Sequence, residues 1–253
     1  QTTAQWQDSP QGMNRFSVAF AMVAPEVSGL IEPTLLYGRE MVQGEAVFTP
    51  NPGNMKRLAG RMAKWITLRR KVNSEKKVAL FFYHPEGGKQ DIGASYLNVP
   101  RSLTAIFKSL AENKYNTGGL EQFSEKDVTD RLTAGVRNVG QWAPGELEKL
   151  CRAGDVVRIP FARYREWFAA LPEAFRQAVI REWGEPEDAQ IMTKDGDFII
   201  PVWQSGNLAI LPEPMRGYAG DFQKMLHSKT LMPPHQYIAV YLWLRHTFRA
   251  DAV

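Results

Sequence analysis

"KKVALFFY", residues 76–83, is followed at once by "HPEGGKQDIGASYLNVPRS", residues 84–102. The first stretch is an uninterrupted apolar run bounded by charge and turn residues, which predicts a strand covered on both faces. The second carries glycines and then, from about Asn98 or Pro100, the start of a helix. Strand, glycine-bearing loop and helix together are the unit of an α/β architecture. A phosphate-binding loop would need G-x-x-x-x-G-K-[ST], but Tyr83 stands where its first glycine belongs and Gln90 where its hydroxyl belongs. No G-x-G-x-x-G is present either. Loops at the carboxyl ends of strands are where open α/β sheets bind ligands, so this loop is either a ligand site or a plain connector.

Outward from that unit the pattern stays mixed. "RFSVAFAMVAPEVSGLIEPTLLYG", residues 15–38, predicts two short β-rich runs, and turn-rich "TPNPGN" leads into a basic helix around "MKRLAGRMAKWITLRRKVNSEKK". Leu58, Met62, Trp65 and Leu68 recur there at helical spacing. Its basic face is either solvated or a dock for an anionic ligand or partner; no nucleic-acid module accompanies it, and nucleic acid is not expected as a partner. From about residue 120 the signals turn helical. Ser124 caps "EKDVTDRL", Pro144 opens "GELEKLC", Pro172 opens "EAFRQAVIREW" and Gly184 closes it. "GDFIIPVWQSGNLAILPEPMRGY" returns to short strands with tight turns, and "PPHQYIAVYLWLRHTF" predicts a last helix. The expected class is α/β: a mostly parallel Rossmann-like sheet flanked by helices, with additional mixed α/β segments. The expected division is an N-terminal α/β segment with the basic helix over 1–72, then a Rossmann-like segment over 73–253 with a helical insert at about 120–184.

Composition bounds the chemistry. The 253 residues are 44% hydrophobic and 23% charged, the make-up of a globular protein, with a formal net charge of +4. Cys151 is the only cysteine, which excludes an internal disulfide or a cysteine-rich zinc site and favours a reducing compartment. No apolar run reaches the roughly 20 residues of a membrane span. The first residue is not Met and "FRADAV" ends the chain as a strand-like pattern begins, so the sequence reads as an internal piece of something longer.

"KKVALFFYHPEGGKQDIGASYLNVPRSL", "SGNLAILPEPMRGY" and "LHSKTLMPPHQYIAVYLWLRHTFRADAV", in that order and spacing, resemble three signature blocks of the large-subunit chelatase family, the cobaltochelatase CobN and magnesium chelatase H-subunit group. "GLIEPTLLYGRE" and "WFAALPEAFRQAVIREWGEP" extend the resemblance over nearly the whole chain. It departs from the family pattern at Asn98, Glu213 and Ser228. The resemblance implies ATP-dependent insertion of a divalent metal into a tetrapyrrole, Co2+ into a corrin precursor or Mg2+ into protoporphyrin. ATP would be used by AAA+ partner subunits and not bound here, with metal-site-bearing chelatase subunits as further partners. The fragment by itself would be inactive, and the implied location is cytoplasmic. Metal removal from a tetrapyrrole such as haem, with Fe2+ as the metal and a periplasmic or membrane-associated setting, and a non-catalytic tetrapyrrole carrier are the other readings.

Metal insertion takes two protons from ring nitrogens and strips water from the cation, which asks for bases of near-neutral pKa and for imidazole or oxygen ligands. His235, after Pro233 and Pro234 at a helix start, would stay neutral beside the positive helix end and serve as base or metal ligand. His227, on a loop, is the second metal candidate, while His246 reads as a charge complement at the helix end and His84 closes a strand. Arg216 would clamp a substrate carboxylate through its fork. Gly87, Gly88, Gly93, Ala94, Ser95, Gly206, Asn207 and Tyr218 are the loop residues expected to let backbone approach a flat ring. Tyr237, Tyr241, Leu244 and Phe248 share one helical stripe, which reads as core, as do Trp167, Phe168 and Trp183. The three blocks are expected to converge on one cleft.

Overall fold

The computed structural model describes residues 2–3, 5, 13–84, 92–93, 96–140, 143–154, 156–217 and 231–253. They form two compact units, Gln1–Arg70 and Lys71–Val253.

In the first unit the chain is helical over Arg15–Val18, Ala19–Val23 and Ala24–Val27, the middle piece a wider π turn. A β-rich run was the expectation. "FSVAFAMVAP" lacks the polar alternation that holds a half-buried strand, and its three alanines favour helix. Asn14 caps the start, its side chain accepting from the Ser17 amide at 2.9 Å. A hairpin follows, β1 (Tyr37–Val42) against β2 (Glu45–Pro50), turning through Gln43 and Gly44 at φ 53° and 86°. Two consecutive left-handed residues make the turn that matches strand twist. The basic helix α1 spans Pro52–Arg70; Leu58 and Leu68 are half-buried, while Met62 and Trp65 remain exposed. Arg61 pairs there with Glu32.

The second unit is built round β3 (Val78–Phe82), whose parallel neighbour is β8 (Leu208–Pro212) and whose other side carries a parallel bridge from Val78 to Ala252. Helix α2 (Val99–Glu112) lays Val99, Leu103 and Phe107, one stripe at four-residue spacing, against this sheet, and α3 (Glu125–Gly135) adds Val128 and Leu132. Asn98 caps α2 by accepting from the Arg101 amide at 3.0 Å, and Ser124 and Asp127 form a capping box on α3. Beyond α4 (Pro144–Ala153) comes a strand with no sequence forecast, β4 (Val156–Pro160), then α5 (Phe161–Ala169) and α6 (Glu173–Trp183). Strands β5 (Thr193–Lys194) and β6 (Asp197–Pro201) make a second sheet with β4, and β7 (Trp203–Ser205) pairs with β8. The last helix, α7 (His235–Trp243), continues as a π turn over Leu244–Phe248.

Alternation along β3 and β8 explains the uninterrupted apolar run. Leu208 and Ile210 face α2 and α3; Ala79, Ala209 and Leu211 face the other cluster, where α5, α6 and α7 pack. Both faces are covered, and each fully buried Leu or Ile contributes about 1.5–3 kcal/mol. The α/β class is therefore the observed one, in small sheets. Among the described residues parallel pairing is confined to β3, whereas β7–β8, β4–β6 and β5–β6 are antiparallel. Connections decide two of these pairs: Asp195–Gly196 between β5 and β6, and Gly206–Asn207 between β7 and β8, are two-residue turns, too short for the crossover that a parallel pair requires.

Candidate functional site

The chain leaves β3 and β8 side by side. The Glu213 amide donates to the Phe82 carbonyl at 2.8 Å. One buried amide then ties both exits: Asn138 Nδ2 donates to the carbonyls of His84, at 3.1 Å, and Glu213, at 2.7 Å. Asn138 is 4% exposed, and its Oδ1 has no hydrogen-bond partner among the described residues.

Beyond these exits Arg216 and α7 meet. Arg216 Nη2 donates to Glu213 Oε1 at 2.7 Å, and its guanidinium lies 6.0 Å from the centre of the Tyr237 ring. Tyr237 is 5.1 Å from Tyr241, their hydroxyls 3.4 Å apart, and Tyr241 stacks on Phe81 of β3 at 5.7 Å. Tyr241 is 41% exposed. Burial, with the Tyr237 hydroxyl second, raises the Tyr241 phenol further above its usual value, so it is a hydrogen-bonding group and not a base at neutral pH. Glu213 holds Arg216 more firmly protonated than usual. Only one guanidinium nitrogen is bonded among the described residues, leaving donors of the fork for an acid group.

Other expected site residues lie elsewhere. Gly206 and Asn207 form the β7–β8 turn at the amino end of β8, separated from Glu213 by a five-residue strand, roughly 16 Å at about 3.3 Å per residue. Both are explained by that turn. Gly206 has φ 55°, a Cβ there would meet the Asn116 carbonyl oxygen at 2.4 Å, and the Asn207 side chain donates to the Ser74 carbonyl at 2.8 Å. The turn accounts for both residues without a ligand. Gly93 is half-buried, and a Cβ there would meet Leu97 O at an ordinary 3.9 Å. Gly87, Gly88, Ala94, Ser95, Tyr218 and His227 lie outside the described residues.

His235, expected as base and metal ligand, lies against the rings of Tyr164 and Phe168. It is 1% exposed, with Nδ1 2.8 Å from the Tyr164 hydroxyl and Nε2 3.0 Å from the Gly184 carbonyl. A carbonyl only accepts, so Nε2 carries the proton and Nδ1 accepts from Tyr164. Neither nitrogen remains for a metal or a substrate proton. The ring is kept neutral as expected, but burial is the leading cause, against a smaller opposing effect of the Gly184 bond and nearby acids. His246 stacks on Trp167 at 5.3 Å, and burial, Arg245 and Arg163 lower its pKa. Among the described residues no three His, Cys, Asp or Glu side chains gather as a metal site. Of the three blocks, the Arg216 turn and α7 converge through Tyr237, with β3 joining through Phe81. Asn138 and the tyrosine pair went unforeseen, although hydroxyls on an otherwise apolar stripe signal a wet edge.

A parallel strand pair covered on both faces, with polar and aromatic groups gathered beyond its carboxyl ends, defines an α/β domain with a candidate ligand site at those ends. The CobN/Magnesium Chelatase family description matches residues 1–253, and the chain belongs to that family. It is 32% identical to the aerobic cobaltochelatase subunit CobN of Pseudomonas aeruginosa over 98% of this chain and 20% of that protein. It is 28% identical to the chloroplastic magnesium-chelatase subunit ChlH of Oryza sativa over 100% of this chain and 17% of that one. The catalytic subunit of cobaltochelatase from Mycobacterium tuberculosis shares the fold, with TM-score 0.78 and 26% identity, over 99% of this chain and 21% of that chain. The chain thus spans about a fifth of the length of these relatives.

Proposed function

We propose that this chain is a tetrapyrrole-facing part of the large subunit of an ATP-dependent metal chelatase, with cobalt as the first metal assigned. The relative at 32% identity and the solved neighbour at 26% are both cobaltochelatase subunits, which favours cobalt over magnesium. The observation that carries the reading is Arg216, braced by Glu213 just beyond the carboxyl ends of β3 and β8. A tetrapyrrole bears peripheral carboxylates on a flat apolar ring. A guanidinium with unused donors fixes such a carboxylate in place, and the ring nitrogens are then held still while protons leave and metal enters. No Walker sequence occurs in the chain, and ATP hydrolysis falls in this reading to AAA+ partner subunits.

The test is a titration of the 253-residue chain with a free-base porphyrin dicarboxylate, followed by the Soret band. Wild type should bind, and Arg216→Gln should weaken binding about tenfold or more, the scale of a lost charge-assisted bond. No spectral change with porphyrin or metal-free corrinoid would overturn the reading.

A further inference from the structure

We propose that the open edge of β3 seats a further parallel strand, supplied by the parent polypeptide beyond Val253, and that this strand walls the candidate site on the side away from β8. The first contacts of that pairing are in place. Ala252 forms a parallel bridge with Val78, the Ala79 amide donates to the Ala252 carbonyl at 3.0 Å, and the Asp251 amide donates to the Lys77 carbonyl at 2.8 Å. Asp251 fixes the register, since its Oδ2 also accepts from the Lys77 amide at 2.8 Å and from Lys71 Nζ at 2.6 Å. Arg249, at φ 57°, ends the π turn after α7 and turns the chain back onto the sheet. Helix α7 is thus the crossover of a βαβ unit whose first strand is β8 and whose second has only begun.

Past Ala252 the pairing stops while β3 runs on. Residues along a strand bond alternately to its two neighbours, and Val78 and Phe82 bond on the β8 side, Val78 to the Asn207 carbonyl and Phe82 to the Glu213 amide. The carbonyl of Ala79 and both backbone groups of Phe81 therefore point to the other edge, where among the described residues nothing pairs with them. Val78, Leu80 and Phe81 are only half-buried, and "VALFF" holds no charged residue or proline, the devices that keep an exposed edge from pairing. The half-made bridge already sets direction and register, which selects the polypeptide that carries Ala252 over a second copy of the chain. The match to the Pseudomonas aeruginosa relative spans 20% of that protein, so a parent of that size has chain to supply the strand. Phe82 lies four positions past Val78, so the fourth residue after Ala252 stands opposite it, and the next few emerge beside His84 and Asn138, on the flank of β3 away from Glu213 and Arg216. The inference holds whatever ligand Arg216 takes.

The experiment compares amide exchange by NMR in the 253-residue chain and in the same chain extended by about ten residues of its parent, enough to pass β3 at about 3.3 Å per residue. Extension should slow the Phe81 amide about tenfold or more, while the Leu80 and Phe82 amides, on the β8 side, stay slow in both. A proline at the second residue after Ala252, whose N–H would donate to the Ala79 carbonyl, should return Phe81 to fast exchange. In the full-length parent, mass spectrometry of the peptide spanning β3 should show the same added protection, which covers an extended chain that fails to fold. A Phe81 amide that extension and the full-length parent leave unchanged overturns the proposal, as does one already as slow as Leu80 in the 253-residue chain. Protection that grows with the concentration of the 253-residue chain gives the edge to a second copy and overturns it as well. Porphyrin affinity enters none of these readouts, so their failure leaves the chelatase reading standing.

Discussion

Replacing His235 by alanine tests whether this histidine is a structural tie or a reactive group. The imidazole bridges α7 to the Tyr164 hydroxyl and the Gly184 carbonyl, at 2.8 and 3.0 Å, in a site 1% exposed. Phe168 and Tyr164 lie edge-on to it at 5.1 and 5.6 Å. Removal strands one buried hydroxyl, at about 1–3 kcal/mol, and one part-buried carbonyl, at less, and opens a cavity among aromatic rings. The sum is about 2–5 kcal/mol, a large fraction of the 5–15 kcal/mol typical of a domain. Urea unfolding followed by tryptophan fluorescence should show the midpoint fall for His235→Ala. Tyr164→Phe should cost about 1–2 kcal/mol, and the double variant should cost less than the two singles together, because they share one bond. A base or metal ligand predicts the opposite result, wild-type stability with loss of cobalt binding. That outcome would refute the reasoning.

Two further predictions concern the same unit. The folded pKa of His235 lies below its usual 6.5, so its contribution is complete above pH about 6.5 and is lost as pH falls toward the folded value, because the unfolded chain takes up the proton first. Unfolding midpoints between pH 7.5 and about 5 should decline in wild type and decline less steeply in His235→Ala; parallel profiles would count against the assignment. Gly206→Ala, at φ 55° and with the Asn116 oxygen 2.4 Å from the new Cβ, should destabilise by about 1–3 kcal/mol in urea yet leave porphyrin affinity unchanged.

The central sheet was legible because its signals are local. An apolar run covered on both faces, Ser124 before a helix, Pro172 and Gly184 round another, and the two-residue turn at Gly206–Asn207 each carry their meaning within a few residues. What local pattern does not carry is pairing. β4 was hidden because "VVRIP" is five residues between helices and gains strand character only by lying against β6. The count of parallel pairs was overestimated for the same reason. Residues 15–27 were misread because apolar content without alternation fits a short helix as well as a strand.

The site divides along the same line, and His235 beside Tyr237 shows why. Two positions apart on one helix, they were assigned by residue type, imidazole to chemistry and phenol to core. The fold buries the imidazole and leaves the phenol half-buried beside Arg216. A helix advances 100° per residue, so residues two apart face nearly opposite ways. With His235 turned into the aromatic cluster of α5, Tyr237 must turn toward Arg216, and Tyr241, one turn on, follows it onto Phe81. Reactivity then depends on which lone pairs and donors the packing leaves unused: on His235 none, on Arg216 most of a fork. Asn138 fits the same logic without any motif of its own. By spending both N–H groups on the exits of β3 and β8 it sets where Glu213, and through it Arg216, begins. The geometry beyond the strand ends is therefore set by a buried amide 75 residues away in sequence from the glutamate that braces Arg216.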